Sequence, residues 1–69
     1  MKITKEQFHY KYGNLKLKFH SFHKSSYGFT GETPEGNTIM YQIREDEEFS
    51  SGFVYDKEGN TIEYFQEDL

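Results

Sequence analysis

Tyr12-Gly13-Asn14-Leu15 is the stretch on which a reading of this 69-residue chain turns. Gly-Asn between two runs of alternating apolar residues is the signature of a two-residue β-hairpin turn. The pair recurs at Gly36-Asn37 and Gly59-Asn60, so three glycines stand 23 residues apart. The later copies also share Glu-Gly-Asn-Thr-Ile, Glu35 to Ile39 and Glu58 to Ile62. The repeat predicts a single domain of three hairpins in series, at about 3–24, 27–44 and 49–66. The expected fold is all-β: an antiparallel meander of about six short strands, built as a curved sheet or a small barrel. For residues 1–8 the alternative is a short helical turn, because Thr4 and Gln7 have capping-box spacing.

Working outward from Gly13-Asn14, Tyr12 is expected opposite Leu15, Lys11 opposite Lys16, Tyr10 opposite Leu17, His9 opposite Lys18 and Phe8 opposite Phe19. Side chains alternate across a sheet. One face would then be apolar and the other would gather His9, Lys11, Lys16, Lys18 and His20. In the second hairpin, Thr33-Pro34-Glu35-Gly36 reads as a type I turn followed by a bulge glycine. That turn predicts Tyr27 opposite Ile43, Phe29 opposite Tyr41 and Gly31 opposite Ile39. Asp56-Lys57-Glu58-Gly59 repeats the chemistry. In the third hairpin Val54, Ile62 and Tyr64 are expected on one face, with Phe53, Tyr55 and Phe65 on the other, and Ser50-Ser51-Gly52 is read as a bulge or bend.

Tyr55-Asp56-Lys57-Glu58-Gly59-Asn60 resembles the Tyr-Asp-x-x-Gly-Asn core of the YD repeats of RHS-type surface and toxin proteins. The resemblance covers six residues and implies a hairpin, with no function attached.

Composition narrows the function classes. Leu, Ile, Val and Phe number only 15, so the seven Phe and six Tyr must supply most of the core. There is no Cys, which excludes disulfides and thiolate metal sites. A core this small gives only about 3–5 kcal/mol and tends to need help, so a homo-oligomer is expected. No apolar run is long enough to cross a membrane, and Lys2, Lys5 and Glu6 interrupt any signal-peptide pattern. The expectation is a soluble, cytoplasmic protein with no membrane partner.

Charge is laid out unevenly. Residues 1–24 carry +5 and residues 25–69 carry −9, a split that points to a partner or to self-pairing. Like charges opposed across strands are destabilising. A basic face on the first hairpin therefore reads as an anion site, with His9, Lys11, Lys16, Lys18, His20 and Lys24 for phosphate and Phe22, Tyr27 or Tyr55 for stacking a base. The acidic run Glu45, Asp46, Glu47 and Glu48 supports an alternative, a surface that mimics nucleic-acid phosphates and fills a basic groove on a host protein. His20 and His23 would point to opposite faces of a strand and share no metal. No nucleophile–base constellation accompanies the histidines, so neither catalysis nor a cofactor is expected. Overall acidity argues against duplex DNA. The expected function is non-enzymatic capture of a small anionic, nucleotide-type ligand by a homo-oligomer, in the manner of a phage counter-defence protein that sequesters a nucleotide signal.

Overall fold

The structure is a computed structural model and describes residues 1–69. One helix, α1 (Lys5–Tyr12), precedes five strands: β1 (Lys18–His23), β2 (Ser26–Glu32), β3 (Thr38–Arg44), β4 (Phe49–Tyr55) and β5 (Thr61–Asp68). The strands form one antiparallel sheet in the order β1-β2-β3-β4-β5. The sheet is open, with five strands and not six, and no barrel closes.

The missing strand is the first, and with it goes the 3–24 hairpin. Residues 5–12 are helical, and Gly13 continues the helix in right-handed backbone at φ −66°. The pairs Tyr12–Leu15, Lys11–Lys16, Tyr10–Leu17, His9–Lys18 and Phe8–Phe19 do not form; β1 pairs with β2 instead. Gly36 and Gly59, at φ 89° and 87°, do occupy the left-handed region that a turn of this class needs. The reason lies three residues upstream. Thr33 Oγ1 accepts from the Asn37 amide at 3.1 Å and Asp56 Oδ1 accepts from the Asn60 amide at 2.9 Å. The equivalent position before Gly13 is Tyr10, which has no short side-chain oxygen to hold the turn. A capping box acts on the same segment: Thr4 Oγ1 accepts from the Gln7 amide at 3.1 Å, and Gln7 Oε1 accepts from the Thr4 amide at 2.9 Å.

The second hairpin has the expected register, with Tyr27 opposite Ile43, Phe29 opposite Tyr41 and Gly31 opposite Ile39. The third does not. Phe53 pairs with Tyr64 and Val54 with Glu63, and the register slips between Val54 and Tyr55. Ser50, Ser51 and Gly52 run through in register, so the irregularity sits at the far end of β4. That slip moves Tyr64 onto the face of Phe53 and Tyr55, and leaves Phe65 with Val54.

The front face of the sheet explains the helix. Phe19, Phe29, Tyr41, Gly52 and Phe65 lie directly opposite one another across the five strands. This is a row of aromatic rings with one hole, at Gly52. Phe8 of α1 fills the hole, its ring 5.0 Å from Phe65 and 6.0 Å from Tyr41 between centroids. A two-turn helix is marginal alone in water, and this one is held by that single buried side chain. Its other ring on this side, Tyr12, lies one turn on and 5.0 Å from Phe8. The buried apolar core is Phe8, Ile39, Tyr41, Val54 and Phe65.

Residues 1–3 lie beside β5 in parallel, with the Ile3 amide on the Tyr64 carbonyl at 2.8 Å. They cover part of that edge and leave β1 as the open one. No helix is long and apolar enough to cross a membrane.

Candidate functional site

Docking of Phe8 leaves a groove beside α1, a cavity of about 320 Å³ open to solvent. That volume falls at the small end of the range typical of ligand sites. Phe29 and Tyr41 form its floor. Phe8, His9 and Tyr12 form the helix wall, and Leu15 and Leu17 form the opposite wall. The sheet provides flat rings because β2 and β3 place Phe29 and Tyr41 side by side, with centroids 6.0 Å apart. Leu17 reaches the sheet because Gly31 has no side chain; a Cβ there would sit 2.6 Å from Leu17 Cδ2.

Polar groups are few and well placed. The exposed His9 ring stands edge-on to Tyr41 at 5.0 Å and 70°. Burial pushes the Tyr41 hydroxyl above the ordinary tyrosine value, with the neighbouring Tyr27 adding to it, so the group is a neutral donor at physiological pH. Tyr12 closes the helix end of the groove. Its hydroxyl donates to Glu63 Oε2 at 3.0 Å, while Lys11 Nζ holds Glu63 Oε1 at 2.5 Å. Burial, then the Glu63 carboxylate, pushes the Tyr12 pKa up to about 12. Burial works against ionisation of Glu63, but Lys11 and Tyr12 outweigh it and hold that carboxyl below its ordinary value.

The residues expected to bind phosphate are dispersed. His9 lines the groove. Lys16 lies between the groove residues Leu15 and Leu17 in the chain. Lys11 is tied to Glu63. Lys18 and His20 sit on the reverse face of the sheet, where His20 Nε2 is 2.7 Å from Thr30 Oγ1. Lys24 occupies the β1–β2 turn. The common basic face required the 3–24 hairpin, and the helix removes it.

The stacking candidates are divided as well. Tyr27 is on the front face next to Phe19 and Phe29, its pKa raised by burial and by Glu45. Phe22 and Tyr55 are on the reverse face, Phe22 over Gly28 and Tyr55 parallel to Phe53. Part of the charge split is satisfied inside the chain: α1 lies on β5, where Lys11 meets Glu63 and the Lys5 amide donates to Glu67 at 2.6 Å. The acidic run forms a single exposed 3-10 turn, Glu45–Glu47, with Glu48 in left-handed backbone. It is anchored by the Glu45 amide on the Ser25 carbonyl at 2.8 Å, and Arg44 pairs with Glu47 at 3.2 Å.

Among the groove residues, only His9 stands out from sequence reasoning as a ligand contact. Phe8, Tyr12, Leu15, Leu17, Phe29 and Tyr41 fall on the apolar faces that strand alternation predicts. The signal that marks the helix wall is the Thr4-x-x-Gln7 box followed by Phe8 and Tyr12 at helical spacing. No known protein family, curated protein or solved structure matches this chain.

Proposed function

We propose that the protein is a non-enzymatic binding protein, a homo-oligomer whose chains each capture a small, planar, anionic ligand of nucleotide type in the groove beside α1. The observation that supports this reading is the groove itself: a floor of two aromatic rings, Phe29 and Tyr41, with His9 at its wall. Aromatic faces stack bases with little regard to sequence, at roughly 1–3 kcal/mol per base. His9 and Lys16 are the basic side chains nearest in space or chain for the ligand's charge. Lys11, Lys18, His20 and Lys24 stand outside this proposal, and so do Phe22 and Tyr55.

The test is a proton NMR titration with a panel of linear and cyclic nucleotides, read at the ring protons of Phe29 and Tyr41. Saturable shifts that vanish in His9→Ala and weaken in Lys16→Glu, but persist in Lys18→Glu, are the expected result. No shift at millimolar nucleotide would refute it.

One observation favours a second reading. Glu45, Asp46, Glu47 and Glu48 are all exposed on one anchored turn, as a protein that fills a basic groove on a nucleic-acid-binding enzyme would present them. Under that reading Glu47→Lys abolishes inhibition of the enzyme and His9→Ala leaves it unchanged.

A further inference from the structure

The two edges of the sheet are finished differently. Along β5 the chain covers its own edge: the Ile3 amide donates to the Tyr64 carbonyl at 2.8 Å, and the Tyr64 amide to the Met1 carbonyl at 3.1 Å. That pairing matches charge as well as backbone. β5 carries Glu63, Glu67 and Asp68 and no base. The residues laid along it bring the terminal amine, Lys2 and Lys5. The amine donates to the Ile62 carbonyl at 2.8 Å, and the Lys5 amide to Glu67 at 2.6 Å. β1 is the converse case. Beyond its ladder with β2, no hydrogen bond in the chain reaches its backbone, so the N–H and C=O groups that point away from β2 are unpartnered.

We infer that β1 is a docking edge for an extended acidic segment of another protein, which joins the sheet as a sixth strand. The inference goes beyond the groove and does not depend on it.

A sheet edge supplies affinity through main-chain hydrogen bonds and selects through alternate side chains. This edge selects by charge. Residues 7–31 contain no Asp or Glu. The ion pairs of the chain are Lys11–Glu63 and Arg44–Glu47, so Lys16, Lys18 and Lys24 are unpaired in a protein with twelve acids. Lys18 is exposed on the reverse face, opposite Thr30. His20, next on that face, is turned back onto Thr30 at 2.7 Å, which leaves Lys18 free to meet a neighbour. Lys16 precedes the strand and Lys24 follows it.

The front face sets the second requirement. Phe19 is 57% exposed, with the rings of Tyr27 and Phe29 at 5.9 and 5.6 Å. Neighbours in a ladder share a face. An added strand therefore sets acids beside Lys18 and apolar side chains beside Phe19, so the segment alternates acidic and apolar residues. The slip between Ser21 and His23 ends the regular edge, and Lys18 to Ser21 is the stretch that can be laddered. The same basic residues keep two copies from pairing β1 to β1, because like charges would meet; they do not repel an acidic strand. Single-stranded nucleic acid would meet the lysines too, but it brings no row of amides to the open backbone.

The probes are two capped peptides of about ten residues, one alternating Glu with Val and the other Lys with Val. Each is titrated into the isotope-labelled chain at low salt, with hydrogen exchange read on the complex. The Glu peptide should give saturable amide shifts confined to residues 17–21, with slowed exchange at alternate amides there. The Lys peptide should give none. Lys18→Glu, outside the groove, should weaken the Glu peptide roughly five- to tenfold, since one favourable cross-strand pair becomes a like-charge pair. The same variant should gain binding of the Lys peptide, and circular dichroism shows that it is folded. A separate nucleotide titration read at Tyr41 reports the groove, so the two readings fail independently. No shift at millimolar Glu peptide, equal binding of the two peptides, indifference to Lys18→Glu, or a preference of residues 17–21 for oligothymidylate would each overturn the inference.

Discussion

Gly52→Ala should destabilise this protein, against the general rule for glycine in a strand. Replacing a strand glycine by alanine ordinarily gains roughly 0.5–1 kcal/mol from the unfolded chain's lost freedom. Here a Cβ would lie 2.5 Å from Phe65 Cε1, 2.7 Å from Phe8 Cζ and 2.9 Å from Phe8 Cε2. Carbon atoms in contact sit about 3.5–4.0 Å apart, so both rings must retreat by about 1 Å. Phe65 has no room, being fully buried between Tyr41 and Phe8. Phe8 therefore moves, and α1 moves with it. Overpacking of this kind costs about 1–3 kcal/mol, which exceeds the gain and leaves a net loss of about 1–2 kcal/mol. Each kcal/mol shifts the midpoint of a domain this size by about 4–8 °C, so Tm should fall by about 5–15 °C. Thermal and urea unfolding followed by far-UV circular dichroism and tyrosine fluorescence give the number, since the chain has no tryptophan. In a Phe8→Leu background the same substitution should cost less, because the shorter side chain frees the space; the coupling is expected at about 0.5–1.5 kcal/mol. A Gly52→Ala chain as stable as wild type, or more so, would refute the account of α1 as a plug for the gap in the aromatic row.

Thr4→Ala removes the acceptor for the Gln7 amide; it should cost about 1 kcal/mol in urea unfolding, with faster amide exchange along residues 5–12. Stability should fall on acidification partly through Glu63, whose folded pKa lies below the ordinary 4.5. Its contribution is complete above about pH 4.5 and lost as pH drops through the lower folded value, and Lys11→Met should shrink it by a few tenths of a kcal/mol up to about 1 kcal/mol, as for other surface pairs. Tyr12 predicts an alkaline limb of opposite sign. Raised from 10.0 to about 12, it stabilises fully below pH 10 and loses that contribution as pH rises toward 12, so Tyr12→Phe should flatten the limb in pH-dependent melts. Asp56→Ala removes the oxygen that accepts from the Glu58 and Asn60 amides; it should lower Tm, and Asp56→Asn should recover most of the loss.

Strands β2 to β5 were legible because their turns are local chemistry. Pro34, Gly36 and Gly59 set backbone angles while Thr33 and Asp56 accept hydrogen bonds within four residues, so the 27–44 register follows from the sequence by counting. The last hairpin followed only in outline, since the slip at Val54/Tyr55 changes which rings share a face and leaves no mark in the alternation. At residues 3–12 two local signals conflict. Phe8, Tyr10 and Tyr12 alternate like a strand, while Thr4 and Gln7 cap a helix. Tyr10 is 88% exposed and Phe8 only 2% exposed, so the alternation is not a buried face at all.

The sequence by itself determined the turns at 33–37 and 56–60, the second hairpin and the shortage of aliphatic core, because each is a matter of neighbouring residues or of composition. Tertiary structure alone decided the helix, the groove and the scattering of the basic residues. All three depend on a gap in one row of side chains, and that row is assembled from five strands far apart in the chain. Gly52 has no meaning until Phe65 and Tyr41 stand on either side of it, and then the nearest free aromatic ring, Phe8, comes down from a helix to fill the space.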